Sequence, residues 1–102
     1  TVSAKTGHVY VNETGNAGMA TGGMGDVLSG IIAAMIAHDG IGSIAAAACA
    51  AVYLHGAAGD YCAGRIGPYG FTPDEVADAV PEVLALWDKR RPLTLLEKPY
   101  II

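Results

Sequence analysis

The chain has 102 residues, enough for one small domain, and its 52% hydrophobic and 16% charged residues argue against a disordered segment. Its formal net charge is −4, and its longest basic cluster is Lys89-Arg90-Arg91, which argues against a phosphate-tracking nucleic-acid surface. Much of the apolar share is Ala, so the core is thin for its length, and a homo-oligomer or a further segment is expected to complete it.

Residues 1–5 and 8–12 read as two strands around a Thr6-Gly7 break, an antiparallel hairpin. Residues 13–24 are glycine-rich and lack an apolar period, which is a loop. From Gly25 the apolar residues Val27, Leu28, Ile31, Ile32, Met35 and Ile36 form a helical stripe. That helix is expected over residues 25–38 and closed by Gly40 in a left-handed cap. Ser43 can cap a second helix over residues 44–64, where Gly56 and Gly59 predict either tight helix contact or a local break. Residues 64–70 form a second loop. Thr72-Pro73-Asp74-Glu75 carries an N-cap, a first-position proline and first-turn acids, with a capping box between Thr72 and Glu75. Val76, Val80, Val83, Leu84 and Trp87 continue as an apolar stripe, with a kink or restart expected at Pro81. The tail from residue 89 onward shows no clear period.

The longest apolar run, residues 44–54, is too short to span a bilayer, so no membrane partner is expected. Cys49 and Cys62 show no metal-ligand spacing and read as small buried thiols in a reducing cytoplasm. Thr1 opens a strand-like run, not the basic start of a secretory leader.

The chemistry concentrates in Asn16-Ala17-Gly18-Met19-Ala20-Thr21-Gly22-Gly23-Met24-Gly25-Asp26, which runs straight into the first helix. Glycines there let backbone N–H groups turn toward an anion. The helix start adds its unpaired N–H groups and the positive end of its dipole. Thr21 offers a hydroxyl to a phosphate, and Asp26 sits in the first helical turn. A carboxylate beside an anion hole can accept the proton of an alcohol that attacks a terminal phosphate. A plain glycine turn followed by a helix-start acid is the competing account of the short core motif. The stretch is neither a Walker A loop nor a dinucleotide fingerprint, since neither spacing is present.

The longer run from Asn16 to Ile32 closely resembles the C-terminal signature of the NAD(P)H-hydrate dehydratase family, a branch of the ribokinase-like superfamily. Tyr53-Leu54-His55-Gly56-Ala57-Ala58-Gly59-Asp60 and Gly70-Phe71-Thr72-Pro73-Asp74-Glu75-Val76 resemble that family's following helices. The likeness covers residues 1–88. It implies an α/β ribokinase-like fold, represented here by a C-terminal part with a hairpin and about three helices. It implies ADP- or ATP-dependent dehydration of hydrated NADH or NADPH: the hydrate hydroxyl is phosphorylated, and phosphate then leaves. Asn16 to Gly25 would line the adenine nucleotide. Asp26 would contact the hydrated nicotinamide and act as the base. Magnesium would arrive with the nucleotide phosphates, and no protein-built metal site is expected. The family's Lys-Gly pair lies upstream of the first strand and is not among these residues.

Two other readings remain open. A sugar or vitamin-precursor kinase of the same superfamily shares Gly-x-Gly-Asp, and a non-catalytic nucleotide-binding or interaction fragment fits the short length. Outside the loop, His55 reads as a buried packing residue and Asp60 as a helix-surface or capping acid. His8 and His38 read as solvent-facing and Trp87 as core. Asn16 could read adenine or ribose, while Met19 and Met24 could pack on the base or fill the core.

Overall fold

A computed structural model describes residues 1–38 and 42–89. The elements run β1 (Val2–Ser3), β2 (Val9–Tyr10), a 3-10 turn (Ala17–Met19), α1 (Met24–Ala37), α2 (Ile44–Ile66) and α3 (Pro73–Lys89). A two-strand sheet with three helices is a partial α/β fold. The glycine cap expected at Gly40 and the tail from residue 90 lie outside the described residues.

β1 and β2 pair antiparallel in the register Val2↔Tyr10 and Ser3↔Val9, shorter than the five-residue strands the sequence predicts. The turn is also wider than Thr6-Gly7. The Ala4 N–H donates to the His8 carbonyl at 2.8 Å and the Gly7 N–H to the Ala4 carbonyl at 2.9 Å. Residues 4–8 therefore form the bend.

α2 is the central element and packs against both α1 and α3. It starts where Ser43 Oγ accepts the Ala46 N–H at 3.1 Å, as the sequence predicts. Ala47, Ala51, Leu54 and Ala58 recur at helical spacing and are fully buried. Leu54 and Ala58 join one buried cluster with Val76 and Val83 of α3 and Met24 at the start of α1. Burying Leu54, Val76 and Val83 stabilises the fold by about 1.5–3 kcal/mol each. The capping box forms: the Thr72 N–H donates to Glu75 Oε1 at 2.9 Å and the Glu75 N–H to Thr72 Oγ1 at 3.2 Å.

Several details depart from the sequence expectation. α1 starts at Met24 and ends at Ala37, one residue early at each end, because Gly23 takes the N-cap position with φ 94°. On α1, Val27, Ile31 and Met35 pack on the core, whereas Ile36 on the neighbouring ridge is 47% exposed. α2 continues through Gly56 and Gly59 without a break, and α3 continues through Pro81 without a restart. Leu84 leaves the buried stripe and is 42% exposed. Cys62 is buried, Cys49 is half-buried, and both are free thiols.

Candidate functional site

The glycine-rich loop is seated on one face of α2. Thr14 lies over Gly56 and Met19 over Gly59, and a Cβ at either position would collide with them. At position 56 the obstacle includes main chain, since the Thr14 carbonyl carbon would lie 2.7 Å away. The sequence signal for close approach at these glycines was right, but the neighbour is the loop and not another helix. Polar bonds fix the seat. Thr14 Oγ1 donates to the Tyr53 carbonyl at 2.8 Å, and Asn12 Nδ2 donates to the Thr14 carbonyl and hydroxyl at 3.0 Å each. One turn further along α2, Asp60 accepts the Gly15 N–H at 3.0 Å and the Asn16 Nδ2–H at 2.8 Å. Tyr53, Gly56 and Asp60 share a helix side at spacings of three and four residues. The description of Asp60 as a surface or capping acid is therefore corrected: its partners are 44 and 45 residues away in the loop.

Asn16 uses both ends of its amide within the protein. Its Oδ1 accepts the Gly18 N–H at 3.0 Å and caps the Ala17–Met19 turn. Gly18 then packs against a second segment, where an added Cβ would lie 2.7 Å from Phe71 Cε1 and would also strike the Pro68 carbonyl. Between the two segments runs a cleft of about 670 Å³. One wall is Asn16, Ala17, Gly18, Ala20 and Thr21, and the other is Pro68, Tyr69, Gly70 and Phe71. The second wall was not singled out from sequence. Its signal was the short Gly67 to Gly70 linker that turns the chain back before α3. Tyr69 stands at the rim, 98% exposed.

Thr21 leads from this cleft to the start of α1. Gly23 adopts the left-handed region that favours glycine and offers no side-chain cap. The N–H groups of Gly22, Gly23 and Gly25 have no hydrogen-bond partner among the described residues. A Cβ added at Gly22 or Gly25 would meet nothing within 4 Å, whereas one at Gly23 would lie 3.2 Å from Pro73 Cγ, so the helix tip is open on its Gly22 and Gly25 sides. Asp26 is exposed in that first turn. The Met24 side chain is buried in the core, and Met19 packs at the core's edge.

His55 lies behind the tip, 9% exposed, in agreement with the buried reading. Burial pushes its imidazole below the ordinary histidine range, and the nearby Met24 backbone opposes the shift. Its Nε2 has no partner, and the ring borders a second hollow of about 330 Å³ with Asn12, Asn16 and Gly25. Among the described residues no group of three or more His, Cys, Asp and Glu could hold a metal ion. No described helix is long and apolar enough to cross a membrane.

A family model described as NAD(P)H-hydrate dehydratase matches residues 1–82. The chain belongs to the NAD(P)H-hydrate dehydratase family. The bifunctional NAD(P)H-hydrate repair enzyme Nnr of Archaeoglobus fulgidus is 46% identical over 76 residues, covering 74% of this chain and 16% of that protein. The enzyme of the same name from Moorella thermoacetica is 51% identical over 78 residues, 76% of this chain and 14% of that protein. The ADP-dependent (S)-NAD(P)H-hydrate dehydratase of Neisseria meningitidis is 46% identical over 79 residues, 76% of this chain and 26% of that protein. The matched segment thus spans about a quarter or less of each of these relatives. No solved structure matches the chain significantly.

Proposed function

We propose that this chain is the nucleotide-binding end of an enzyme that dehydrates hydrated NADH or NADPH at the expense of ADP or ATP. The tip of α1 carries the reading: three glycine N–H groups without a partner among the described residues stand beside the exposed Asp26, at the end of a cleft large enough for a small-molecule ligand. The polyphosphate rests on the N–H groups of Gly22, Gly23 and Gly25, with Thr21 donating its hydroxyl. The rest of the nucleotide extends along the walls formed by residues 16–21 and 68–71. Magnesium arrives on the phosphates, since no described cluster of protein ligands would hold it.

Asp26 accepts the proton of the hydrate hydroxyl as that oxygen attacks the terminal phosphorus. The phosphoanhydride bond breaks, and AMP leaves from ADP, or ADP from ATP. The phosphate then departs with the C–O electron pair, and loss of a proton from the adjacent ring carbon restores the dihydronicotinamide double bond. The helix tip lowers the barrier by holding charge on the transferring group with donors already in place.

The experiment is incubation of the full-length protein with hydrated NADH and either nucleotide, following the dihydronicotinamide absorbance. Recovery is expected with one of ADP or ATP. No recovery with either overturns the proposal.

A further inference from the structure

A single carboxylate holds the corner of the loop that forms one wall of the cleft. Asp60 Oδ2 accepts the Gly15 N–H at 3.0 Å, and Asp60 Oδ1 accepts the Asn16 Nδ2–H at 2.8 Å. Asn16 passes the restraint on, because its Oδ1 accepts the Gly18 N–H at 3.0 Å and so closes the Ala17–Met19 turn. No cation pairs with Asp60 among the described residues, so the carboxylate serves the loop as a pure acceptor. That role suits Asp and not Asn: an ionised carboxylate offers acceptors on both oxygens, whereas an amide would set a donor against a donor. Met19 Sδ, seated over Gly59 one residue before Asp60, locates the far end of the same turn. The loop is thereby fixed at both ends by adjacent positions of one helix.

We propose that Asp60 is a positioning residue for nucleotide binding: its two accepted hydrogen bonds hold the 15–19 turn, and with it the wall of the cleft, in the binding geometry before the nucleotide arrives. The inference rests on the nucleotide reading of the cleft given above. A loop ordered in advance spares the ligand the cost of ordering it, so losing the restraint appears in nucleotide affinity ahead of catalysis.

The test uses the full-length protein with Asp60→Asn, Asn16→Asp and the double exchange. Each single change breaks the pairing, the first by opposing two amide donors and the second by opposing two carboxylates. In the double exchange the amide now at position 60 donates to the carboxylate at position 16 and accepts the Gly15 N–H, while the second oxygen at position 16 accepts the Gly18 N–H. All three bonds return, with only the bond between positions 16 and 60 reversed in direction. Titration calorimetry with ADP and with ATP should show the singles weakened by about tenfold or more, as expected for charge-assisted hydrogen bonds. The double should recover to within about threefold of wild type, a pattern that general loss of packing would not give. The KM for hydrated NADH should move less than the nucleotide Kd. If the singles do not fold, a double that folds and binds still supports the pairing. Wild-type affinity in Asp60→Asn, or a double no better than the worse single, overturns the inference. A wild-type protein that binds neither nucleotide overturns the reading of the cleft itself.

Discussion

Replacing Gly56 by Ala tests whether α2 is the seat of the loop. In a helix interior the change alone favours folding by about 1 kcal/mol, because Ala is the better helix former. Here the new Cβ would lie 2.7 Å from the Thr14 carbonyl carbon and 2.8 Å from Thr14 Cβ. Main chain cannot swing aside as a side-chain end can, so the loop must lift, and forcing in such a group costs about 1–3 kcal/mol. Lifting Thr14 also lengthens its 2.8 Å hydrogen bond to the Tyr53 carbonyl, with a loss of about 1 kcal/mol. The net expectation is destabilisation by about 2 kcal/mol, or a Tm lower by about 4–8 °C in a domain of some 150–250 residues. Gly64 in the same helix is the control, since a Cβ there would meet nothing within 4 Å. Gly64→Ala should raise the Tm by up to about 4 °C. Gly59→Ala should fall between them, because its obstacle is the flexible Met19 thioether. Thermal unfolding of the full-length variants reads the series. A Gly56→Ala protein at least as stable as wild type would refute the loop seat.

Three further outcomes are expected. Asp26→Asn should lower kcat by about 10²–10⁴ with nucleotide Kd nearly unchanged, by single-turnover kinetics and calorimetry; a fully active variant removes Asp26 as the base. Thr72→Ala should cost about 1 kcal/mol in denaturant unfolding, since it removes the bond from Thr72 Oγ1 to the Glu75 N–H. His55 is held below its ordinary value of 6.5 by burial, so the unfolded chain takes up this proton more readily than the folded one. Its stabilising contribution is present above that value and lost as pH falls through the lowered one, so the Tm gap between wild type and His55→Gln should narrow on acidification.

The parts legible in the sequence were those set by neighbours within one turn. Ser43 and the Thr72–Glu75 box act over three residues, so residue type and spacing suffice to specify them. Residues 16–26 stand out in the sequence because they are contiguous, but that Met24 turns into the core and Met19 onto Gly59 was not legible there. The hairpin was legible in kind but not in extent, since β-branched residues mark strands without fixing how many pair. Asp60 was misread because its partners lie across the loop connection and α1, where no local period reaches. The Pro68–Phe71 wall escaped for the same reason. Leu84 illustrates a further limit: an apolar residue on a helix need not face the core, and here the core is filled by Val76, Ala79 and Val83.

The Ala and Gly content that makes this core thin also explains how the site is built. Small residues on α2 let α1, α3 and the loop approach the same helix, with Ala57 and Ala58 buried in the cluster shared with α1 and α3 and Gly56 and Gly59 lying under the loop. Close approach of this kind buries little apolar area per residue, so it cannot by itself fix the loop's position. Directional bonds from Thr14 to the Tyr53 carbonyl, and from Gly15 and Asn16 to Asp60, supply the missing specificity. The two kinds of restraint should therefore separate on mutation. Crowding at Gly56 lifts main chain from its seat and should reduce stability and nucleotide affinity together. Breaking the Asp60 bonds leaves the seat in place and should reduce affinity by much more than stability.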